Sequence, residues 1–167
     1  MEIMALGVHD VKTIDPSPDR SGGLRLNHIG LVVEDIERAV RILRSLGLKK
    51  CTSPEMDPVQ RVNATFVEIV PDQDVYIELL EPAAEDSPIS AHLKKGGGLH
   101  HLCFEVVDMD AACAGLGREG YRCVTGPTHC RGFDRSFGLA GTRIAFFMAP
   151  IRLLVELVEK RKRPGIR

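Results

Sequence analysis

Two histidines and two glutamates occupy places where each alone would be costly or idle. His28 opens the apolar run HIGLVV and His101 opens HLCFEVV, while Glu78 and Glu156 lie inside IELLEP and VELVEK, carboxylates set among aliphatic residues. A carboxylate in the middle of an apolar strand destabilises a fold unless it is paired or bound to a cation. One divalent ion shared by all four would remove these costs together. Two imidazoles with two carboxylates suit an octahedral Co, Mn, Ni or Mg ion, or Zn with expanded coordination, with positions left over for substrate or water. Taken singly, a histidine at a strand start is more often a satisfied core or surface residue, and a glutamate in an edge strand more often faces water.

Repetition lifts the four above that background. Residues 26–40, LNHIGLVVEDIERAV, return as residues 99–113, LHHLCFEVVDMDAAC, at a constant offset of 73. Leu26, His28, Val33, Asp35 and Ala39 match Leu99, His101, Val106, Asp108 and Ala112, and Gly47 matches Gly120. The runs that carry the glutamates repeat at an offset of 78, so the second copy has gained five residues, in the loop THCRGFDRSFGLAGT. A single duplication of this kind means paired modules and no solenoid. If a pseudo-twofold axis relates the modules, one His and one Glu from each converge.

The elements that must position these residues read as βαβββ, twice. Each opening strand runs into an aspartate suited to cap a helix, Asp35 or Asp108. Ile36, Ala39, Val40, Leu43 and Leu46 fall at helical spacing with Gly47 as the stop. Met109, Ala112, Cys113 and Leu116 repeat that face, but Gly115 and Gly117 each cost ~1 kcal/mol relative to alanine, which predicts a short or tightly packed second helix. Three strands follow in each module, around LKKCTS, VNATFVEIV and DVYIELLE, then YRCVTG, RIAFFMA and RLLVELVE. The linker EPAAEDSPISAHLKKGGG predicts a short helix started by Ser87, with Pro88 at its first position, and ended by the glycines. The expected layout is a flexible lead-in over 1–24, one domain over 25–160 (module 1 about 25–82, linker 83–98, module 2 about 99–160) and a basic tail over 161–167.

Composition sets the frame around the site. At 167 residues, 44% hydrophobic and 27% charged, the chain can bury one substantial core. A net charge of -1 gives no electrostatic reason to expect nucleic acid or an anionic membrane as partner. No apolar run reaches the ~20 residues of a membrane helix, and a signal peptide pattern is missing at the start, so a cytoplasmic location is expected. Cys51, Cys103, Cys113, Cys123 and Cys130 are odd in number, hold no CxxC pair and mostly sit among apolar neighbours, which suits reduced packing residues.

With two βαβββ units and a His and a Glu in each, the chain resembles the vicinal oxygen chelate superfamily over about residues 25–160. Its members pair such modules around a metal. Relatives that cleave rings with iron, and fosfomycin-modifying relatives, carry histidine at the place of Glu78, so the glutamate here argues against both. The run IELLEPAAEDSPISAHLKKGGGLHHLCFEV is closely similar to the linker of methylmalonyl-CoA epimerases. That resemblance implies metal ligands at His28, Glu78, His101 and Glu156, the Glu78 place being Gln in some epimerases, with Glu156 also acting as a base and the chain forming a homodimer. A glyoxalase I-type lactoylglutathione lyase resembles the same His-Glu-His-Glu set, and a metal-free small-molecule binding protein on this scaffold is a third reading.

The first two readings share one chemistry. A metal that chelates a carbonyl oxygen stabilises the charge formed when the adjacent carbon loses its proton, and a carboxylate moves that proton. An epimerase needs a second acid/base group on the opposite face. In some epimerases it is a glutamate at the place of Ala64; Glu68, four residues on, shares the face of Ala64 in an extended strand and is the expected substitute. Two further departures are RIL in the first helix, where relatives often have an aromatic pair, and MAPIRLLVEL in place of a Gly-rich turn. Arg131, Arg135 and Arg143, in and after the inserted loop, are the expected anchors for an anionic substrate. The expectation is therefore an α+β protein whose two modules form a curled, mixed, eight-stranded half-barrel around a divalent metal. Its expected activity is epimerisation of methylmalonyl-CoA or a similar acyl-CoA thioester.

Overall fold

The computed structural model describes residues 24–50, 52–69, 75–130 and 141–160. The elements run β1 (Arg25–Val32), α1 (Ile36–Ser45), β2 (Lys49–Lys50), β3 (Glu55–Asp57), β4 (Val62–Glu68), β5 (Tyr76–Pro82), α2 (Ser90–Lys94), β6 (Gly98–Val106), α3 (Met109–Arg118), β7 (Arg122–His129), β8 (Arg143–Met148) and β9 (Leu154–Glu159). One mixed sheet holds them in the order β2, β4, β5, β1, β6, β9, β8, β7, with β3 also on β4. β2 pairs with the end of β4 and β3 with its start. The two are one interrupted edge strand in the place β7 takes in module 2, so nine strands fill eight positions. β1 runs parallel to β5, and β6 to β9, while β1 and β6 meet antiparallel at the centre of the sheet. The local twofold relating the modules passes between them.

Both helices start as the repeat predicts. The side chain of Asp35 accepts from the Arg38 amide at 2.8 Å, and that of Asp108 from the Ala111 amide at 2.9 Å. Gly47 and Gly120 follow the helix ends with φ of 88° and 82°, a left-handed conformation that glycine adopts without strain. Ile36 and Val40 are buried, but Leu46 falls past the end of α1 as its C-cap and is 73% exposed, outside the expected apolar face. α3 is as long as α1, ten residues each, with Gly115 buried in it. The glycines therefore do not shorten it.

Alternation along the strands divides the core by face. One face carries Val67, Leu79 and Ile77 under α1 and Ala145, Phe147, Val155 and Leu157 under α3. The other carries Val32, Val62, Ala64, Phe66, Leu80, Ile144 and Val158, which pack on one another inside the curl. The two edges of the sheet approach at the open side, where Cys130 Sγ lies 3.8 Å from the buried Asp57 carboxylate. Each glutamate-bearing strand uses its alternation twice. Glu78 and Glu156 point into the curl, whereas Glu81 and Glu159, on the opposite face, accept from the amides of Ile36 and Met109 at 2.9 and 3.0 Å and so anchor the helix N-termini.

In the linker α2 begins two residues later than predicted, after Ile89, without a side-chain cap, and the Ser87 hydroxyl is buried with no hydrogen-bond partner. Gly96, Gly97 and Gly98 end it, all at positive φ. Cys103 and Cys130 are buried, Cys113 is half-buried and Cys123 is exposed, and all four are free thiols. Among the described residues no helix is long and apolar enough to cross a membrane.

Candidate metal centre

Four neighbouring strands each turn one polar side chain into the curl: His28 from β1, Glu78 from β5, His101 from β6 and Glu156 from β9. The register dictates the meeting. Gly30 pairs with both Glu78 and His101, and Cys103 with both His28 and Glu156. All four are buried, the histidines 2% exposed and the glutamates 5%. One donor atom from each lies within 4.8 Å of every other. His28 Nε2 is 3.1 Å from His101 Nε2 and from Glu156 Oε2 and 3.4 Å from Glu78 Oε2, and His101 Nε2 is 3.0 and 3.4 Å from the same two oxygens. Donors bound about 2.0–2.2 Å from a common centre lie roughly 3.0–3.5 Å apart in octahedral or tetrahedral arrangement. The cluster therefore suits a divalent metal ion, and the imidazoles facing both carboxylates offset what burial costs them.

Burial opposes charge at every member, and the members offset it in one another. Burial pulls His28 down, but the Cys103 sulfur and the Glu78 and Glu156 carboxylates reverse this and hold it well above the ordinary imidazole value. Burial and the Glu156 charge push Cys103 itself up to about 12, so near neutral pH it is a thiol and the carboxylates carry the reversal. His101 is likewise raised against burial by Glu156 and Glu78. The same burial pushes both carboxyls up, and the two imidazoles outweigh it and hold them below the ordinary range. Phe66 and Phe146 stand edge-on to His28 and His101 at 5.5 and 5.6 Å between ring centres, walling the cluster on either side.

Close approach fixes another residue. His101 lies directly over Gly30, where a β-carbon would come within 2.2 Å of its Cε1. Only glycine leaves room for the ring there. The repeat does not mark this glycine, since Cys103 holds the equivalent place, and its role is visible only from the cross-strand register.

The remaining predicted residues are placed differently. Glu68 ends β4 on the same face as Ala64 and Phe66, half-buried and paired across strands with Tyr76. Arg143 is not brought to the cluster. It shares the face of Ala145 and Phe147, toward α3, and its guanidinium bonds both carboxylate oxygens of Asp110 at 2.6 and 3.2 Å, with Glu159 at 3.7 Å. Strand parity alone puts it there, one residue before the inward Ile144. Arg131 and Arg135 lie outside the described residues. The sequence reading missed Glu55. It pairs with Ala64 in the β3–β4 ladder, and directly opposed residues share a face. A carboxylate therefore stands beside Ala64 from the adjacent strand, a relation that only the register of the broken edge strand reveals.

Comparison with known proteins points the same way. The family model of the Glyoxalase/Bleomycin resistance protein/Dioxygenase superfamily matches residues 27–146. The chain is similar to the ethylmalonyl-CoA/methylmalonyl-CoA epimerase of Cereibacter sphaeroides, 37% identical over 100 residues that cover 59% of this chain and 72% of that one. It is 32% identical over 103 residues to the mitochondrial methylmalonyl-CoA epimerase of Homo sapiens, covering 60% of this chain but 57% of that protein, less than two thirds of its length. A variant of the Streptomyces coelicolor methylmalonyl-CoA epimerase, solved in complex with 2-nitronate-propionyl-CoA, superposes with a TM-score of 0.68 at 31% identity, over 84% of this chain and 100% of that one.

Proposed function

The chain belongs to the glyoxalase/bleomycin resistance protein/dioxygenase superfamily, and within it we propose a divalent-metal-dependent isomerase that removes and returns a proton next to a carbonyl. Its proposed substrate is methylmalonyl-CoA or a similar acyl-CoA thioester. The observation that carries this reading is the convergence of His28, Glu78, His101 and Glu156 inside the half-barrel. The epimerase relatives and the acyl-CoA analogue held by the Streptomyces protein support the choice of substrate.

His28, Glu78, His101 and Glu156 would hold the ion, which when bound supplies an electrophile for a carbonyl oxygen that gathers negative charge. The remaining steps fall to side chains. Glu156 accepts the proton as the C2–H bond breaks, and the electron pair of that bond is delocalised toward the thioester carbonyl. Inversion then needs a proton delivered from the other face. Glu68 and Glu55 are the candidates on the inner face of module 1. The phenyl walls of Phe66 and Phe146 keep bulk water from quenching the carbanion. Co, Mn, Ni, Mg and Zn all remain compatible with this donor set. A cytoplasmic homodimer belongs to the same proposal, and light scattering with cell fractionation tests it.

Incubation with methylmalonyl-CoA in heavy water, followed by proton NMR, tests the activity. Solvent deuterium should enter C2 with the wild-type protein and fail to enter with Glu156→Gln. Absence of wild-type exchange at C2 would overturn the substrate, and turnover of the methylglyoxal–glutathione hemithioacetal in its stead would identify a lactoylglutathione lyase. Protein purified without added metal should contain about one divalent ion per chain by elemental analysis; none would leave a metal-free binding protein.

A further inference from the structure

The histidines that meet in the centre are each preceded by a residue that a regular strand would turn away, since neighbours along a strand point to opposite faces. Asn27 and His100 escape that rule because each sits at a register shift between β1 and β6. Leu26 pairs with Phe104 and His28 with Cys103, which leaves Asn27 as an extra residue; Gly30 pairs with His101 and Leu31 with Leu99, which leaves His100 as another. An extra residue of this kind re-aims a side chain, and such bulges recur beside active sites. The two bulges are related by the offset of 73 that relates the ligands themselves. The duplication thus carries the bulge together with the histidine.

Both bulged side chains reach the ring nitrogen that the centre does not use. Asn27 Oδ1 lies 2.8 Å from His28 Nδ1, and His100 Nδ1 lies 2.9 Å from His101 Nδ1, while the two Nε2 atoms face each other across the centre. A neutral imidazole has its hydrogen on one nitrogen and its lone pair on the other. Asn27 Nδ2 donates to Glu105 Oε1 at 3.0 Å, so the amide oxygen is the atom turned to His28, and an amide oxygen only accepts. In the neutral ring, the form that binds a metal, the hydrogen of His28 is thereby held on Nδ1 and its lone pair on Nε2. The same outcome at His101 requires His100 Nδ1 to accept. The ring of His92, edge-on to His100 at 5.2 Å, holds that side chain from the linker side.

We propose that Asn27 and His100 are positioning residues that accept the Nδ1 hydrogens of His28 and His101 and so keep both Nε2 lone pairs directed at the ion. The inference rests on the metal reading above and deepens it. Two chemically different residues perform one task at equivalent bulges, and each has an exchange partner already present in the molecule.

The test titrates Co2+ into metal-free, full-length protein against a competing chelator, recording the visible spectrum and the melting temperature of the metal-free form. His100→Phe keeps a ring but offers no nitrogen, and Asn27→Leu keeps the volume but offers no oxygen. Each is expected to weaken Co2+ binding by about 10–100-fold, the usual cost of losing an outer partner of a ligating histidine. His100→Asn, which borrows the partner used in module 1, is expected to recover most of that loss and the wild-type spectrum. Where His100→Phe does not fold, Asn27→Leu and His100→Asn decide. Unchanged Co2+ affinity in both His100→Phe and Asn27→Leu overturns the positioning role alone. Wild-type protein that binds no Co2+ overturns the metal reading beneath it.

Discussion

Module 1 and module 2 deliver the same two donors to the centre and surround them with different residues. His101 rests on the bare backbone of Gly30, whereas His28 faces Cys103, the residue equivalent to Gly30 in the repeat. The outer nitrogen meets an amide oxygen in one module and an imidazole in the other. The edge strand is broken into β2 and β3 in one and continuous as β7 in the other. Donor atoms and the strand frame have been kept across the duplication, while packing around them has diverged until each copy meets the same demand by other means. Exchanging residues between the modules therefore distinguishes a shared role from a local solution.

The largest expected asymmetry is between the two glutamates. Glu156→Gln should cut C2 deuterium exchange by about 10²–10⁴-fold, since an amide cannot take up the proton. Glu78→Gln keeps a donor oxygen, matches the residue that some epimerases carry there, and should retain readily measurable exchange. Equal losses in the two variants would break the division of roles between the modules. The next contrast concerns what lies beneath each ring. Gly30→Ala places a β-carbon 2.2 Å from His101 Cε1, so the ring must leave its position. Co2+ affinity should drop by about 100-fold, at the upper end of what lost ligand support costs. Cys103→Ala only removes a buried sulfur; unfolding in urea should show a loss of about 1 kcal/mol, with Co2+ affinity largely kept.

The metal-free protein should also show a pH signature with a definite sign. The folded state raises His28 and His101, so their contribution is complete below the unfolded value of about 6.5 and is lost as pH climbs through the folded values. It lowers Glu78 and Glu156, so theirs is complete above about 4.3 and is lost as pH falls. The melting temperature of the metal-free form should peak between those limits and decline above about 6.5. Saturating metal should flatten the alkaline decline, because ligation displaces the same protons. A melting temperature still rising from pH 6.5 to 8 without metal would contradict the arrangement.

Much of this was legible in the sequence because repetition acts as its own control. A histidine and a glutamate returning at equivalent places identified all four members of the cluster, and the capping aspartates with their paired glycines bounded both helices. What escaped depended on backbone details that period-two reasoning cannot contain. A bulge reverses the parity that sends Asn27 and His100 outward, so their approach to the ligands has no signature in alternation. Arg143, expected as an anchor for an anionic substrate, lies away from the cluster for the opposite reason: it obeys parity, one residue out of step with Ile144, and pairs with Asp110. Glu55 was hidden by the break in the edge strand, which sets the register that puts it opposite Ala64. The second glutamates, Glu81 and Glu159, were visible in ELLE and ELVE, but their task at the helix N-termini follows only from where α1 and α3 lie on the sheet.

The smallest predicted effect separates the two helices. The sequence reading charged α3 for Gly115 and Gly117, and the helix nevertheless matches α1 in length because its caps and its buried face supply what the glycines withhold. The two glycines are not equivalent. Gly115 is buried in the packed face, whereas at Gly117 an added β-carbon meets nothing within 4 Å and the backbone is not left-handed. Arg44 holds the corresponding place in α1, where a full side chain is tolerated. Gly117→Ala should therefore stabilise the protein by about 0.5–1 kcal/mol, chiefly by restricting the unfolded chain, and raise the melting temperature by roughly 1–4 °C. Co2+ affinity and C2 exchange should not move, since α3 lies on the far side of the sheet from the centre. A gain in melting temperature at Gly115 as large as that at Gly117 would mean that the packing of α3, and with it the contrast between the helices, is looser than the buried face implies.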